Sequence, residues 1–569
     1  MKLSLFFLYL LFMGGVLFIP DIVVDRFHVA PYLWIGLVMG MLSILLAVTF
    51  YGEKLPCLPF FHIILATIGI VYVLCHFAFN LVPAIQLLND CVAFIVSYCL
   101  FSIIGKYRLF YILLIIIGIL VAMIGFFQFC GLFPSFHSVF LVVGPFDNPA
   151  GISILLASLS PFFLFFIYEK KTVMLYAIFG FLLIGVVVVL SEARTAIFSI
   201  FIVLSYCAYR YFSLKKYQYV LWWITLIGIM LVVILFYLKP ASANGRLLIW
   251  HCCLDLICMH PYTGAGYGSF RGCYMPEQAN LLLDSNGFVW KQLASNIFHP
   301  FNEYLKILVE QGLVGFLLVC GIFTSIIQYY SKYRTLEKEV ALLSLVVIGI
   351  CAFFSYPMEY PVIRLLTVFL VGLLLSRPMD GSVVKYWRLR NRFLILSLVC
   401  SISLITGMSY QFYYEMQWKK LVDIETFFQT GKYIGTYQSI YNQTYLRFKP
   451  AFIYSYSVAL NEAEMYEESN AIIHENIYRL NDYDIQLLQA YNYLNLEQLD
   501  SAQTHFRIAS DMIPNRFVPL YELFRIYKKE GRLSDAKRMA MKIADKPVKV
   551  MSPKIAFIKR DVNNYLSNH

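Results

Sequence analysis

The sequence predicts an all-α membrane protein, a polytopic bundle of transmembrane helices with a large external loop and a C-terminal domain of helical repeats. Of its 569 residues, 60% are hydrophobic and only 14% are charged, a composition typical of multi-pass membrane proteins. Runs of about 20 apolar residues lack the alternating period of barrel strands, so helices are the structure that satisfies the backbone in lipid. The last part of the chain repeats with a period of 33 to 34 residues.

Thirteen apolar segments are predicted to span the membrane. The first segment follows Lys2 as a signal peptide would, but no small-residue cleavage pattern follows Phe18-Ile19-Pro20, so we interpret it as a retained span. The predicted spans are residues 3–19, 30–50, 60–78, 82–104, 109–130, 150–168, 172–190, 195–212, 219–238, 302–330, 340–356, 362–376 and 393–413.

Lysine and arginine occur in alternate short loops, which are therefore predicted to face the cytoplasm. The intervening loops, such as 20–29, 131–149 and 357–361, are nearly free of cations and are predicted to face outward. With thirteen spans, the amino end is cytoplasmic and both the loop 239–300 and the tail lie outside. The cytoplasmic cations are Lys106, Arg108, Lys170, Lys171, Arg210, Lys215, Lys216, Lys332, Arg334, Lys338, Arg377, Lys385, Arg388, Arg390 and Arg392.

These cytoplasmic clusters explain most of the net charge of +11. Cations at that face contact anionic lipid, so the charge gives no reason to expect nucleic-acid binding. We predict two domains, a membrane domain over residues 1–413 and an external helical-repeat domain over residues 414–569.

The loop 239–300 interrupts the apolar chain and is the predicted site of the chemistry. It contains NGRLLIW, HPYTGAGYGSF and the start of HPFNEYL, which are too polar for lipid and must lie in water against the membrane face. Gly264, Gly266 and Gly268 are not preceded by a strand or followed by a Lys-Ser/Thr pair, which argues against a nucleotide fingerprint. We expect a tight turn with positive φ and close backbone approach, after a short helix that ends near His260-Pro261.

The tail resembles tetratricopeptide repeats, in which paired amphipathic helices stack. The small residues Thr436, Ser469, Ala502 and Ala536 recur at separations of 33, 33 and 34. Pro450, Pro514 and Pro547 close three of the repeats, although the usual Trp and Gly of the first helix are mostly replaced. Such stacks present a concave surface suited to a polypeptide. The tail therefore binds an acceptor or protein partner, or it caps the membrane domain or stabilises an oligomer.

Thirteen cysteines do not indicate a disulfide framework, because most lie in spans, where free Cys behaves as a small apolar residue. The external loop contains Cys252, Cys253, Cys258 and Cys273, and one bridge among them stays open if the compartment is oxidising. Their spacing lacks the CxxC or HxxxH partners of a zinc site. We predict no metal and no cofactor.

His299 is the best candidate for a catalytic base. It precedes Pro300, a residue favoured in the first turn of a helix, and the next span follows at once, which places the imidazole at the outer interface. A histidine there titrates near neutral pH and can take a proton from a hydroxyl. Glu303, one turn further on, could orient it, and Asn302 could bond a sugar or phosphate oxygen. The structural alternative is a histidine that caps the helix entrance.

Arg246 and Arg194 are predicted to flank the same outer face, Arg246 just beyond the ninth span and Arg194 at the outer end of a span. Arginine near lipid needs a partner. A diphosphate fits, because the guanidinium pairs with phosphate oxygens and neutralises charge growing on a leaving group. For Arg194 the alternatives are snorkelling or an ion pair, for which the acidic candidates are Asp147, Glu192 and Glu359.

These segments resemble the superfamily of O-antigen ligases, O-antigen polymerases and bacterial O-oligosaccharyltransferases. The resemblance covers roughly residues 100–375 and rests on NGRLLIW (244–250), PYTGAGYGSF (261–270) and HPFNEYLKILVEQGLVG (299–315). GPFDNPAG (144–151) and SEARTA (191–196) support it. In the family, a His-Asn pair is usual. Here Pro300 and Phe301 separate His299 from Asn302, so the sequence departs from the family pattern in the role of Asn302 and not in the general match.

The resemblance implies a metal-independent glycosyltransferase of the bacterial inner membrane that works on its periplasmic face. By resemblance, His299 deprotonates an acceptor hydroxyl, while Arg246 and Arg194 engage a polyprenyl-diphosphate-linked glycan. We predict that the substrate also contacts Asn302, Glu303, Tyr267 and Asn148.

The acceptor stays open: lipid A core, a growing polysaccharide and a protein Ser or Thr all present a hydroxyl. Two alternatives to an enzyme also remain. One is a flippase or exporter of lipid-linked glycans, and the other is a membrane-anchored scaffold that binds polypeptides. A large one-sided loop with His at a helix start, and the lack of duplicated halves, disfavour the transporter.

Overall fold

The computed structural model of the chain describes residues 2–58, 60–76, 81–105, 107–167, 171–211, 240–284, 288–377, 386–428 and 433–568, with a few isolated positions between 212 and 239. It is almost entirely helical. The described helices are α1 (Lys2–Leu17), α2 (Val29–Thr49), α3 (Phe60–His76), α4 (Leu81–Cys99), α5 (Tyr107–Phe129), α6 (Pro149–Ile167), α7 (Lys171–Leu190), α8 (Arg194–Tyr211), α9 (Pro240–Met259), α10 (Phe270–Asp284), α11 (Phe288–Leu293), α12 (Glu303–Lys332), α13 (Leu336–Ala352), α14 (Pro361–Leu375), α15 (Asn391–Phe428), α16 (Ile434–Gln443), α17 (Pro450–Glu462), α18 (Tyr466–Glu475), α19 (Tyr483–Asn495), α20 (Leu499–Met512), α21 (Val518–Lys529), α22 (Leu533–Asp545) and α23 (Pro553–Asn568).

Two short strands, β1 (Lys54–Pro56) and β2 (Tyr386–Arg388), pair antiparallel with Lys54 opposite Arg388. The chain divides into two compact units. The membrane unit comprises Met1–Leu238, Phe301–Tyr304 and Phe316–Lys419. The loop-and-tail unit comprises Lys239–Pro300, Leu305–Gly315 and Lys420–His569.

In the described part of the chain, seven helices are long and apolar enough to cross a membrane. The protein is therefore an all-α, multi-pass membrane protein, as the composition predicts. Helices α1 to α8 and α12 to α15 coincide with twelve of the predicted spans. The ninth predicted span, 219–238, lies almost wholly outside the described residues. The seven helical segments are Val29–Thr49, Pro83–Ile104, Tyr107–Phe129, Pro149–Phe166, Val173–Leu190, Glu303–Lys332 and Asn391–Ile424.

Small residues let the helices of the membrane unit pack closely. A Cβ on Gly372 of α14 would lie 1.8 Å from the Ser97 hydroxyl of α4, so only glycine fits there. Ser43 of α2 hydrogen-bonds Ser397 of α15 over 2.8 Å between their hydroxyls. Small residues and hydroxyl pairs of this kind are what hold helices together in lipid, where burial of apolar area between helices contributes little.

After α16, the tail contains three helical hairpins, α17/α18, α19/α20 and α21/α22, followed by α23. Each hairpin turns through one residue with positive φ, namely Glu464 (62°), Glu497 (58°) and Gly531 (73°), and these recur at the sequence period. Three of the four predicted small residues, Ser469, Ala502 and Ala536, are fully buried. The fourth, Thr436, is exposed. The hairpin repeat is thus observed, and its assignment to the tetratricopeptide class stays a prediction.

Candidate functional site

The glycine turn of the loop 239–300 packs against the first turns of α12. Its backbone N–H groups at Ala265 and Gly266 donate to the carbonyls of Val309 (2.8 Å) and Glu310 (3.0 Å). Gly264, Gly266 and Gly268 all have positive φ, as predicted. A Cβ on Gly264 would lie 2.4 Å from the carbonyl carbon of Glu310, so the close backbone approach is real.

Gly312 makes the reciprocal contact and interrupts α12 with a φ of 64° and a ψ of −166°. Its own Cβ would meet the carbonyl oxygen of Tyr262 at 2.3 Å. Beyond it, the N–H of Leu313 donates to the Pro261 carbonyl over 2.9 Å. The tenth predicted span is thus a helix with a break at Gly312, a feature that the sequence analysis did not predict.

The helix before the turn, α9, ends at Met259 as expected, but it has 20 residues and is not short. Arg246 lies in its second turn and is half-buried. The turn leads through Tyr267, which is 38% exposed, into α10. Arg246, Tyr267 and His299 therefore all belong to the loop-and-tail unit.

The tail holds the segment that leads to His299. The amide of Asn515, just before α21, donates to the carbonyls of Gln292 (3.1 Å) and Ala294 (2.7 Å) at the end of α11. Asn296 donates to the Asp484 carboxylate of α19 over 2.9 Å. The half-buried His299 thus follows a segment whose backbone and side chains are fixed by the repeats.

Arg271 is a functional candidate that the sequence analysis missed. Its guanidinium lies over the ring of Phe298, 4.2 Å from the centroid, and Phe298 directly precedes His299. Its carbonyl accepts from the Asn481 N–H of the tail over 3.3 Å. Burial lowers the pKa of Arg271, and the nearby Asp482 carboxylate opposes that shift. In the sequence, the feature that could have indicated Arg271 is its position in the same polar loop, four residues after Tyr267.

Phe301, two residues after His299, has a φ of 52°. For a bulky side chain this left-handed conformation costs about 1–3 kcal/mol, and strain of that size is concentrated at functional sites. Its ring packs edge-on against Tyr356, with centroids 5.5 Å apart. The Pro300-Phe301 insertion that separates His299 from Asn302 is therefore accommodated by a strained backbone.

Asn302 and Glu303 both take structural roles at the start of α12. The side-chain oxygen Oδ1 of Asn302 accepts from the Tyr304 N–H over 3.0 Å, which caps the helix. The Glu303 carboxylate accepts from the Met358 N–H over 3.0 Å. They are only 6% and 8% exposed, so a direct contact with substrate requires an opening at these positions.

Asn148 lies beside the segment 356–360, which also contacts Phe301 and Glu303. Its side-chain amide nitrogen donates to the Tyr356 hydroxyl over 2.9 Å. Its side-chain oxygen Oδ1 accepts from the Ala150 N–H over 2.8 Å at the start of α6. The neighbouring Asp147 accepts from the Tyr360 hydroxyl over 3.2 Å. The segment 356–360 thus hydrogen-bonds both Asn148 and Glu303 in the membrane unit, and Asn302 precedes Glu303 at the start of α12.

Arg194 is the first residue of α8, after a turn in which Glu192 has a φ of 56°. It is half-buried and belongs to the membrane unit with Asn148, Asn302 and Glu303. A guanidinium at a helix N-terminus adds to the positive end of the helix dipole. The local arrangement is therefore suited to an anion.

The cysteines of the external loop are all free thiols in this structure, and Cys252 and Cys253 are fully buried. Burial raises the pKa of Cys252 to about 12, which keeps the thiol protonated. Within the described ranges, no group of three or more His, Cys, Asp or Glu side chains is arranged to hold a metal ion.

The helical membrane unit and the polar segment 239–300, with its arginines and histidine, define a multi-pass membrane protein. Residues 179–320 match the model of the family described as O-antigen ligase. That segment contains NGRLLIW, PYTGAGYGSF and HPFNEYLKILVEQGLVG, so the resemblance to the superfamily of O-antigen ligases and O-oligosaccharyltransferases is confirmed.

Individual relatives agree. A general O-oligosaccharyltransferase of Acinetobacter baylyi is 28% identical over 226 residues, which cover 35% of this chain and 38% of that protein. A candidate polysaccharide ligase of Rickettsia conorii is 30% identical over 102 residues, covering 18% of this chain and 22% of the relative. The chain thus spans between about a fifth and two fifths of the length of these relatives.

Proposed function

We propose that this protein transfers a glycan from a polyprenyl-diphosphate-linked donor to an acceptor hydroxyl at the outer face of the bacterial inner membrane. The observation that carries the proposal is the position of the candidate residues. Arg194, Arg246, Tyr267, His299, Asn302 and Glu303 all fall within residues 179–320, the segment similar to O-antigen ligases.

His299 is the proposed general base. It accepts the proton of the acceptor hydroxyl as that oxygen attacks the anomeric carbon of the donor sugar. The bond between this carbon and the phosphate oxygen breaks, and the lipid diphosphate leaves with the electron pair. Because the diphosphate is already an activated leaving group, the step needs no nucleotide, and direct displacement inverts the anomeric carbon.

Arg246 and Arg194 are proposed to stabilise the departing diphosphate. The negative charge on its oxygens grows as the bond breaks, and guanidinium groups placed in advance lower the energy of that state more than that of the bound donor. Arg194 adds its charge to the N-terminus of α8. Tyr267 is exposed on the glycine turn and is proposed to contact the sugar.

Asn148, Asn302 and Glu303 are proposed to line the substrate site. Their hydrogen bonds to the segment 356–360 and to the backbone of α12 support a role in holding its shape as well. A polar cluster that is already paired needs less reorganisation when a sugar binds. We propose that Glu303, four residues after His299 and the first residue of α12, also orients the imidazole.

The domain division at residues 413 and 414, the thirteen spans and the periplasmic location of loop and tail are parts of the same proposal. The apolar helices and the alternation of cationic loops support them. We propose that the tetratricopeptide-like tail contacts a protein, either the acceptor or a partner. Similarity to a general O-oligosaccharyltransferase favours a protein acceptor, whereas similarity to polysaccharide ligases favours a glycan or glycolipid.

Reconstituted liposomes with labelled lipid-linked glycan test the proposal. An enzyme of this kind releases free lipid diphosphate when an acceptor is added, whereas a flippase moves the donor between leaflets with its glycan still attached. Release without movement supports the proposal, and movement without release contradicts it. Comparing the surface glycolipids and glycoproteins of a deletion strain then identifies the acceptor class.

Chelation separates this chemistry from metal-assisted transfer. The external loop contains no Cys/His or carboxylate set with metal-ligand spacing, so we expect EDTA to leave the transfer rate unchanged. Loss of activity that a divalent ion restores would contradict the metal-independent mechanism.

A further inference from the structure

The loop 131–148 between α5 and α6 has an unusual exterior. It contains no helix or strand over 18 residues, and loops of this length are usually functional. The chain contains no Lys, Arg, Asp or Glu from residue 109 to residue 146. Its large apolar side chains point outward, and those exposed by more than a third are Leu132, Phe133, Phe136, Val139, Phe140 and Leu141.

A single side chain of α5 satisfies the backbone at both ends of this loop. Gln128 is only 1% exposed. Its carbonyl oxygen accepts from the N–H groups of Val143 (3.0 Å) and Gly144 (2.7 Å). Its amide donates to the carbonyls of Pro134 and Gly144, each over 3.2 Å. Four backbone groups are thereby paired without water.

The tip of the loop is closed in the same way. Nδ1 of His137 accepts from the N–H groups of Val139 (3.0 Å) and Phe140 (3.1 Å), which requires an unprotonated Nδ1. The Ser135 hydroxyl donates to the Phe140 carbonyl over 2.6 Å. Pairing of this kind lowers the cost of moving irregular backbone out of water. Irregular backbone at membrane depth is tolerated only where the protein supplies the partners.

The apolar exterior continues onto the surface of α5. Met123, Phe126 and Phe129 are exposed along that helix, and their helix is one of the candidate spans. At the tip of the loop, the Arg26 guanidinium lies 5.0 Å from the ring centroid of Phe136. An arginine seated on an aromatic ring is typical of the headgroup level, where the cation reaches phosphate while the ring faces the acyl chains.

We propose that the loop 131–148 is inserted in the outer leaflet of the membrane, with its apolar side chains among lipid acyl chains. The occupant is lipid because the apolar surface is continuous with a spanning helix and because side chains of the protein pair the backbone at both ends and at the tip of the loop. The loop is therefore a membrane-embedded hairpin that leads directly to Asn148. The insertion itself does not depend on the glycan transfer proposed above.

Photo-crosslinking in the full chain tests the insertion. Benzoylphenylalanine replaces Val139, which is 78% exposed, or in a matched control Val550 of the tail, which is 71% exposed. The protein is reconstituted in liposomes of phosphatidylethanolamine and phosphatidylglycerol and irradiated, and adducts are mapped by mass spectrometry. We expect acyl-chain adducts at position 139 in several-fold excess over position 550.

A second loop position, Leu132, which is 69% exposed, guards against local damage by the bulky probe. Acyl-chain adducts at both loop positions support insertion. Equal lipid adducts at the loop and tail positions, or headgroup adducts alone, would overturn it, since the loop would then lie in water or at the surface. Adducts to a second copy of the chain would overturn it in favour of a protein interface.

Discussion

Two long loops of this chain, 131–148 and 239–300, differ in the side chains on their exteriors. The first has an apolar exterior and no charged residue before Asp147, whereas the second contains arginines and acids and exposes Tyr262 and Tyr267. In each, a side-chain amide pairs several backbone groups, Gln128 in the first and Asn515 in the second. The comparison teaches that backbone pairing gives a loop its shape, while the side chains on its exterior favour either lipid or water as its surroundings.

The largest effect is expected at the polar loop. His299→Ala should lower the rate of transfer by about 10² to 10⁴, the usual contribution of a general base. His260 is the matched control, because it also precedes a proline in the same loop. We expect His260→Ala to stay near the wild-type rate in the liposome assay. Full activity of His299→Ala would contradict the assignment of His299 as the general base, and with it the proposal that this loop contains the catalytic site.

Arg246 tests charge and geometry separately. Arg246→Ala removes the cation and should abolish nearly all turnover. Arg246→Lys keeps a cation but loses the planar fork that binds two phosphate oxygens, so it should retain a small fraction of turnover with weakened donor binding. The measurement is turnover and KM for the lipid-linked donor. If both variants transfer glycan at the wild-type rate, Arg246 is structural and the diphosphate lacks its main partner.

Sequence patterns predicted the helices far better than the contacts between them. The apolar spans follow from composition alone, because lipid leaves the backbone no choice but helix. Positive φ at Gly264 followed from its residue type and neighbours, since glycine is the residue that adopts that conformation without cost. The break at Gly312 was missed, because it depends on the carbonyl of Tyr262, fifty residues earlier in the chain.

The site shows the same limit. His299 and Arg246 could be singled out from motif and charge, yet Arg271 depends on a contact with Phe298 that no local pattern reveals. The side chain of Asn302 caps α12, a role that its place before a helix already indicates, because asparagine is a common capping residue. Its contact with substrate stays a prediction.

Gln128→Met should destabilise the membrane unit more than any change at the surface of the loops. Methionine has nearly the same volume but pairs with none of the four backbone groups, and each buried unsatisfied group costs about 1–3 kcal/mol. The measurement is thermal unfolding in detergent micelles. Gln128→Glu keeps the oxygen that accepts from Val143 and Gly144 and should lose less stability. Equal unfolding temperatures for wild type and Gln128→Met would show that water already reaches these groups.

Gly272→Ala should separate the polar loop from the tail. Its Cβ would lie 2.1 Å from the carbonyl oxygen of Tyr478, and this backbone atom cannot rotate away. Overpacking of this kind costs about 1–3 kcal/mol. Gly245→Ala is the matched control, since nothing lies within 4 Å of its Cβ and alanine within α9 should stabilise the helix by about 0.5–1 kcal/mol. Limited proteolysis should cut the Gly272→Ala loop faster and leave the Gly245→Ala loop as resistant as wild type.

Asn515→Ala should have the smallest effect, and it makes the comparison of the two loops quantitative. The substitution leaves the carbonyls of Gln292 and Ala294 without their amide partner, as Gln128→Met does to its four groups. Asn515 is only half-buried, however, so water can replace the lost bonds and the net cost should be about 1 kcal/mol. Urea unfolding followed by proteolysis of the tail measures it. If Asn515→Ala lowers the free energy of unfolding as much as Gln128→Met does, both amides are equally shielded from water. The division between a loop in lipid and a loop in water would then not hold.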